Sequence, residues 1–181
     1  EHVPRNYLID CLDVTVCPYC NRAYINRSKN HTVCQLDHFF DKAAYPIMAV
    51  SFYNLIPSCG TCNLTKKQQP LRYSPYDPQF DSADQLLEFG FTAETERELQ
   101  GLKKVTSIVI QSKEKCMEDN IHKLELPELY QIHRDIVQEL LYKKMIYSEK
   151  YVNDLKKQYP GIKIDPGRLV IGNYTTPDSY G

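Results

Sequence analysis

Three features that would place the chain in a common class are missing from its 181 residues. No apolar run approaches the length of about 18 residues that a membrane-spanning helix needs, so a membrane span is excluded. Neither sign of charge dominates, because 22 basic residues face 23 acidic ones, and this balance gives little support to a general nucleic-acid coat protein. No basic and apolar leader follows Glu1, so we expect a cytoplasmic protein, and the absent Met suggests a fragment or a trimmed product.

Internal repeats and low-complexity tracts are also missing from the sequence. Apolar residues make up 42% of the chain, which is enough for a packed core and too much for a disordered protein. The length favours one domain, or a small core with an appendage. The seven cysteines are an odd number that does not suit a disulfide framework, and they direct attention to metal binding.

Four cysteines form two pairs with two residues between the partners of each pair, Cys17 with Cys20 and Cys59 with Cys62. This spacing lets both thiolates of a tight turn face one ion, and two such turns complete a tetrahedral zinc site. A redox motif or plain buried cysteines would explain either pair alone. Because the two pairs occur together, the sequence predicts structural zinc, with residues 21–58 inserted between the two turns.

The inserted segment and the residues after it predict a strand, a loop, a second strand and a helix. The apolar and polar residues of the first strand alternate, and Pro70 ends the helix. These elements are residues 33–40, 41–51, 52–57 and 62–69. The predicted zinc turns lie at both ends of this unit.

Five polar residues of this unit, Asp37-His38, Asn54, Asn63 and Lys66, together resemble the motif of HNH endonucleases. The second half is similar to the family pattern Asn-Leu, then Cys-x-x-Cys-Asn-x-x-Lys, in the form in which zinc knuckles brace the site. The last letter of the motif is Asn here instead of His. That substitution is common in the family and keeps an oxygen ligand.

The resemblance covers about residues 16–69. It implies an α+β fold class, with a ββα-metal core stapled by a four-cysteine zinc site. The residue pattern beyond this range adds a mixed C-terminal region that contains a long helix. The resemblance further implies a metal-dependent DNA endonuclease whose products carry 5′-phosphate and 3′-hydroxyl ends. In this interpretation His38 is the general base, Asp37 and Asn63 hold one Mg²⁺ or Mn²⁺ ion, and Asn54 orients the base or the loop.

The residue types suit this chemistry. An imidazole is able to take a proton from water at neutral pH, and hard divalent cations prefer oxygen ligands and keep open positions for phosphate oxygens. Adjacent residues of a strand point to opposite faces, so Asp37 and His38 cannot both serve one site from the middle of a strand. The resemblance places them where the strand breaks into the loop.

Cations near the motif are candidates for contacts with the phosphate backbone. Lys66 follows Asn63 by three residues and therefore lies on the same helix face. Lys67 and Arg22 are further substrate-binding candidates. Alternatives stay open, because both lysines suit a solvated helix end, Asn63 suits the helix N-cap, and Asp37, His38 and Asn54 also occur in purely structural roles.

The rest of the chain predicts a connector, two strands, a long helix that begins at Pro127, and a last strand or extended arm. Pro160-Gly161 ends the helix, and a polar turn or short helix joins the two strands. The ranges are 70–82 for the connector, 86–93 and 105–111 for the strands, 127–159 for the helix and 168–174 for the final segment.

Domain organisation follows from the motifs and the charges. Residues 1–70 form the predicted zinc-braced nuclease core, and residues 71–181 form a connector, short strands and a long helix for packing or for a partner. The core holds 7 basic and 5 acidic residues, whereas residues 71–126 hold 7 basic and 11 acidic ones. Since nucleic-acid affinity depends heavily on cationic contacts, we expect DNA to touch only the nuclease end.

A short HNH-zinc unit followed by a helical tail also resembles the PtuB-like HNH effectors of Septu and retron anti-phage systems. The tail features are Leu126–Tyr130 and Gly172–Tyr174. This resemblance implies a PtuA-like ATPase as a partner protein. A related hypothesis is an interaction subunit whose nuclease stays silent until the ATPase binds. The competing hypothesis is a non-catalytic zinc module that binds nucleic acid or a partner protein, which would need zinc but not His38.

Overall fold

The computed structural model describes residues 5–12, 14–26, 31–78 and 86–171. By packing, the chain divides into two compact units, one of Glu1–Glu88 with Ile110–Leu129 and one of Phe89–Val109 with Tyr130–Gly181. The functional division after residue 70 stays a prediction. Among the described residues, no helix combines the length and the apolar character that crossing a membrane requires.

The described part of the chain combines short helices with two two-stranded sheets, which confirms the predicted α+β class. The elements are α1 (Arg5–Leu12), β1 (Gln35–His38), β2 (Leu55–Ser58), α2 (Gly60–Lys66), β3 (Glu88–Thr92), α3 (Glu96–Leu99), β4 (Ser107–Gln111), α4 (Lys115–Lys123), α5 (Leu126–Tyr130), α6 (Arg134–Ile146), α7 (Glu149–Gln158) and α8 (Pro166–Ile171). Short 3-10 helices lie at Pro46–Met48, Phe52–Asn54 and Gln131–His133.

β1 and β2 form an antiparallel pair in which Asp37 lies opposite Ile56 and His38 lies opposite Leu55. The backbone N–H of Phe39 donates to the carbonyl of Asn54 at 2.9 Å and closes the loop between the strands. The second strand was expected to begin at residue 52. It begins three residues later, because residues 52–54 turn as a 3-10 helix before the chain extends.

α2 is shorter than the predicted helix over residues 62–69. Cys59 is its N-cap, since the Cys59 sulfur accepts a hydrogen bond from the N–H of Cys62. The helix ends at Lys66 because Lys67 takes a positive φ of 49° that does not continue a helix. Asn63 therefore lies inside the helix, and the alternative of Asn63 as the N-cap is wrong.

The single long helix expected over residues 127–159 is wrong. Helices α5, α6 and α7 and a 3-10 helix occupy this range instead. The main break lies at Tyr147, whose ψ of 54° leaves the helical region, and at Ser148, whose side chain caps α7 by accepting from the N–H of Tyr151. Serine competes with helix continuation in this way, and an apolar stripe on both sides hides the break from the sequence.

The final segment also differs from its prediction. Residues 168–171 belong to helix α8 rather than to a strand or an extended arm, and residues 172–174 lie outside the described part of the chain. Pro166 begins this helix, where its missing N–H and fixed φ are tolerated.

Strands β3 and β4 lie within the ranges predicted for them. They run antiparallel, since Glu88 at the start of β3 accepts from Gln111 at the end of β4. The loop after α3 passes close to α6 at Gly101, where a Cβ atom would lie 2.3 Å from the backbone N of Tyr142. Gly101 also has a φ of 70°, so this approach requires glycine.

Candidate metal centre and active site

The four predicted zinc ligands lie together in the first unit. The sulfur atoms of Cys17, Cys20, Cys59 and Cys62 all lie within 4.8 Å of one another, and each residue is at most 8% exposed. Zinc-sulfur bonds of about 2.3 Å in a tetrahedron place the sulfurs about 3.8 Å apart, so the cluster has the size of a zinc site. The four cysteines could hold a metal ion such as zinc, as the spacing predicts.

The local backbone prepares these sulfurs for a cation. The N–H of Cys59 donates to the Cys17 sulfur at 3.3 Å, and the N–H of Cys62 donates to the Cys59 sulfur at 3.4 Å. The hydrogen bond with the Cys17 thiol lowers the pKa of Cys59 to about 6, whereas hydrogen bonds from Cys62 to its neighbours raise the pKa of Cys62. Four buried thiols cannot all ionise unaided, so full ionisation would need the positive charge of a dication.

Asp37 is buried in a polar cluster beside this metal centre. Its carboxylate accepts a hydrogen bond from the Tyr19 hydroxyl at 2.6 Å and lies 3.0 Å from the ammonium of Lys66. The Asp37 and Lys66 side chains are only 5% and 1% exposed. Burial, and secondly the Asp37 charge, raise the pKa of Tyr19, so the phenol stays a donor. The cluster is thus a buried ion pair with one phenolic donor.

The Lys66 ammonium also contacts His38, the residue after Asp37. The ammonium donates to the backbone carbonyl of His38 at 2.8 Å as well as to the Asp37 carboxylate. The alternative of a solvated helix end is therefore wrong for Lys66. The predicted contact of Lys66 with a phosphate stays a prediction that this burial does not favour.

A catalytic cation on Asp37 and Asn63 does not fit this arrangement. Both oxygens of Asp37 already accept from Tyr19 or Lys66, and a positive group lies where a cation would bind. The Asn63 amide donates to the Gln35 side-chain oxygen at 2.5 Å on the exposed side of α2. The two ligand roles stay predictions, and a divalent ion would first have to displace the Lys66 ammonium from Asp37.

His38 turns toward the loop instead of toward this cluster. The alternation of β1 sends the Asp37 and His38 side chains to opposite faces, because both residues lie in the regular pairing with β2. The Nε2 atom of His38 lies 3.1 Å from the carbonyl oxygen of Ala49. A carbonyl only accepts, so Nε2 carries the proton, and in the neutral ring Nδ1 is the acceptor.

Asn54 braces the loop that carries Ala49. Its side chain is fully buried, and its oxygen accepts from the N–H of Phe40 at 2.7 Å. Its amide donates to the carbonyls of Phe40 at 3.1 Å and Met48 at 3.0 Å. Asn54 thereby joins the end of β1 to the residue next to Ala49, which holds the histidine's hydrogen-bond partner in place.

The remaining predicted contacts lie on the surface or beside it. Lys67 is exposed at the end of α2, and Arg22 is half-buried beyond the first zinc turn. The Arg22 Nε is buried and has no hydrogen-bond partner among the described residues. The sequence interpretation missed Tyr19 and Gln35, although the position of Tyr19 between two predicted ligands is a signal that could have marked it as buried beside a charged site.

Comparisons with known proteins give little further assignment. No protein-family model matches the chain, and no solved structure matches it. Over 53 residues the chain is 42% identical to protein ea31 of Escherichia phage lambda. That segment covers 29% of this chain and 16% of the phage protein, so the chain spans a small fraction of the relative's length. The chain is similar to this phage protein over a short segment.

Proposed function

We propose that the chain is an HNH-type DNA endonuclease in which His38 takes a proton from the attacking water. The observation that carries this proposal is the contact of His38 Nε2 with the Ala49 carbonyl, because it fixes the tautomer with Nδ1 as the acceptor. A general base needs such an acceptor within reach of water, and His38 is only half-buried. The Asn54 brace supports the same interpretation, since it fixes the loop that carries Ala49.

Zinc on the four cysteines has a structural role in this proposal. The second zinc turn caps α2, and the first carries Tyr19, which contacts Asp37. The ion therefore joins the two chain segments on which the candidate site is built. Loss of zinc should remove the support of both.

The resemblance implies Mg²⁺ or Mn²⁺ on Asp37 and Asn63, and this part of the proposal requires that the Lys66 ammonium first leaves the Asp37 carboxylate. An ion bound there would supply positive charge to the phosphate. The Lys66 ammonium neutralises Asp37 here, so cation binding and the Lys66 ion pair compete for one carboxylate. Activity should therefore need a higher concentration of divalent cation than an open carboxylate site would.

Plasmid nicking by purified, zinc-loaded protein tests the proposal. His38→Ala should lower the nicking rate by at least about 100-fold, the lower limit for loss of a general base. His122→Ala is the matched control, because His122 is an exposed histidine of α4 in the same unit. Equal nicking by His38→Ala and His122→Ala, at equal zinc content, would refute the role of His38.

A non-catalytic zinc module is the second candidate, and the buried Asp37–Lys66 pair favours it. A scaffold needs no open carboxylate, and a closed ion pair is a suitable core for one. This candidate predicts DNA or protein binding that survives His38→Ala and no cleavage with Mg²⁺ or Mn²⁺. The nicking assay, run across both cations, separates the two functions.

We further propose that the chain acts in the cytoplasm as the nuclease of a bacterial anti-phage complex with an ATPase partner. The resemblance to PtuB-like effectors supports this, as does the small excess of positive charge in residues 1–70, which suggests weak DNA binding by the chain alone. Cleavage should rise when the co-purifying ATPase is added. Equal rates with and without the partner would contradict that regulation.

A further inference from the structure

The first unit has an open cleft with a volume of about 380 Å³. Its lining begins at Phe39, the residue that follows His38, and continues through Phe40, Tyr45 and Leu71. Phe39 and Leu71 are each 6% exposed, whereas Phe40 is 44% and Tyr45 is 54% exposed. The cleft thus combines buried apolar residues with two aromatic rings that are open to solvent.

The two exposed rings contact each other, and each keeps a large part of its surface open to solvent. The Phe40 and Tyr45 centroids lie 5.7 Å apart with an angle of 67° between the ring planes, so they meet edge to face rather than stack on each other. Asp41 and Gln68 supply a carboxylate and an amide to the same lining. Nucleobases offer flat faces for stacking and polar edges for such groups.

Exposed cations accompany the lining at three separate points of the chain. Lys42, Lys67 and Arg72 are exposed, and each is the immediate sequence neighbour of a lining residue. Arg72 also contacts Asp119 at 3.5 Å while its side chain stays 62% exposed. Aromatic surfaces for bases together with cations for the backbone are the combination that binds single-stranded nucleic acid.

We propose that this cleft binds one unstacked nucleobase of a single-stranded or frayed nucleic acid. The inference rests on the proposed endonuclease function and names its substrate class. Bases within a duplex are stacked on both faces and do not reach such a cleft. The protein therefore prefers strands with an unpaired base over intact duplex.

The test measures binding in the full-length His38→Ala background, so that cleavage does not interfere. The probes are a fluorescein-labelled oligodeoxythymidine strand, a strand of the same length built from abasic residues, and a duplex. Fluorescence anisotropy should show about tenfold tighter binding of the thymidine strand than of the abasic strand, as expected for one stacked base. The abasic strand keeps every phosphate, so it isolates the contribution of the base.

Tyr45→Ala should abolish the preference for the thymidine strand and leave binding of the abasic strand unchanged. Tyr53→Ala is the matched control, because Tyr53 is an exposed tyrosine of the same loop outside the cleft lining, and it should keep the preference. Equal binding of both strands by the parent protein, or equal effects of the two variants, would overturn the inference and leave the aromatic face to a protein partner.

Nicking by the native His38 protein is measured separately and tests the endonuclease itself. A base preference that depends on Tyr45, found in a protein that never nicks DNA, would support the cleft while refuting the nuclease. Nicking without any base preference would support the nuclease and overturn the cleft.

Discussion

Replacement of Lys66 by Met tests the buried ion pair most directly. Met has a similar length and no charge, so it fills the space of the lysine stem and removes only the ammonium. The Asp37 carboxylate, 5% exposed, then keeps the hydrogen bond from the Tyr19 hydroxyl, and the His38 carbonyl loses the hydrogen bond from the Lys66 ammonium. Removing one partner of a buried pair costs about 3–5 kcal/mol, a large part of the roughly 5–15 kcal/mol that stabilises a typical domain.

Urea unfolding followed by circular dichroism measures this loss in zinc-loaded protein. Lys67→Met is the matched control, since Lys67 is exposed beside Lys66, and it should change the unfolding free energy by no more than about 0.5 kcal/mol. Adding Asp37→Asn to Lys66→Met should recover part of the loss, because the uncompensated charge is then gone. A loss below about 1 kcal/mol for Lys66→Met, or simple addition of the two single effects, would refute the buried pair.

The same variant tests the competition between ammonium and metal ion. With Lys66→Met the carboxylate lacks its cation, so Mg²⁺ or Mn²⁺ should raise the thermal unfolding temperature of this variant more than that of the parent protein. Adding Asp37→Asn should remove the difference. Equal stabilisation of parent and variant by Mn²⁺ would show that Lys66 and the ion do not share Asp37.

Three further predictions concern other parts of the molecule. Cys59→Ser should lose zinc and unfold the first unit, because structural zinc contributes on the order of 10 kcal/mol to the free energy of folding. Zinc analysis and circular dichroism measure both effects, and a stable, zinc-free variant would contradict the prediction. Asn54→Ala leaves three backbone groups without their partner and should cost about 3 kcal/mol in urea unfolding while nicking falls, so normal stability would show that Asn54 is not a brace. The hydrogen bond from Lys103, and secondly the N–H of Glu94, lower the pKa of Glu98 from 4.5 to about 2, so the stability that Glu98 contributes is present above pH 4.5 and lost as pH falls toward 2. Glu98→Gln should reduce this acid sensitivity in thermal unfolding, and an unchanged pH profile would exclude Glu98 as its source.

The sequence was sufficient for the metal-binding cluster and for the general fold class. Paired cysteines predict a common site because two-residue spacing constrains each turn locally, and no long-range packing needs to be known. Strand β4 was equally visible, since β-branched residues cluster in residues 105–111. Local sequence patterns were enough to predict a feature wherever local backbone geometry determines it.

The sequence was insufficient to predict the surroundings of a side chain that packs against distant segments of the chain. Lys66 was expected to face solvent or phosphate, and it is instead buried in an ion pair with Asp37, which lies 29 positions earlier. Helical periodicity gives the face of a residue but not what covers that face. The break at Ser148 was missed for a related reason, because its serine cap competes with an apolar pattern that continues on both sides.

The position of Tyr19 also limits how freely the first zinc turn can be exchanged. Residues between two metal-binding cysteines are commonly treated as spacers, yet here one of them is the hydroxyl donor to the buried carboxylate. A turn grafted from another zinc protein would restore the four sulfurs and still leave the Asp37 oxygen without that donor. Protein engineers would find the ion retained and the neighbouring hairpin weakened, so this turn is not an interchangeable module.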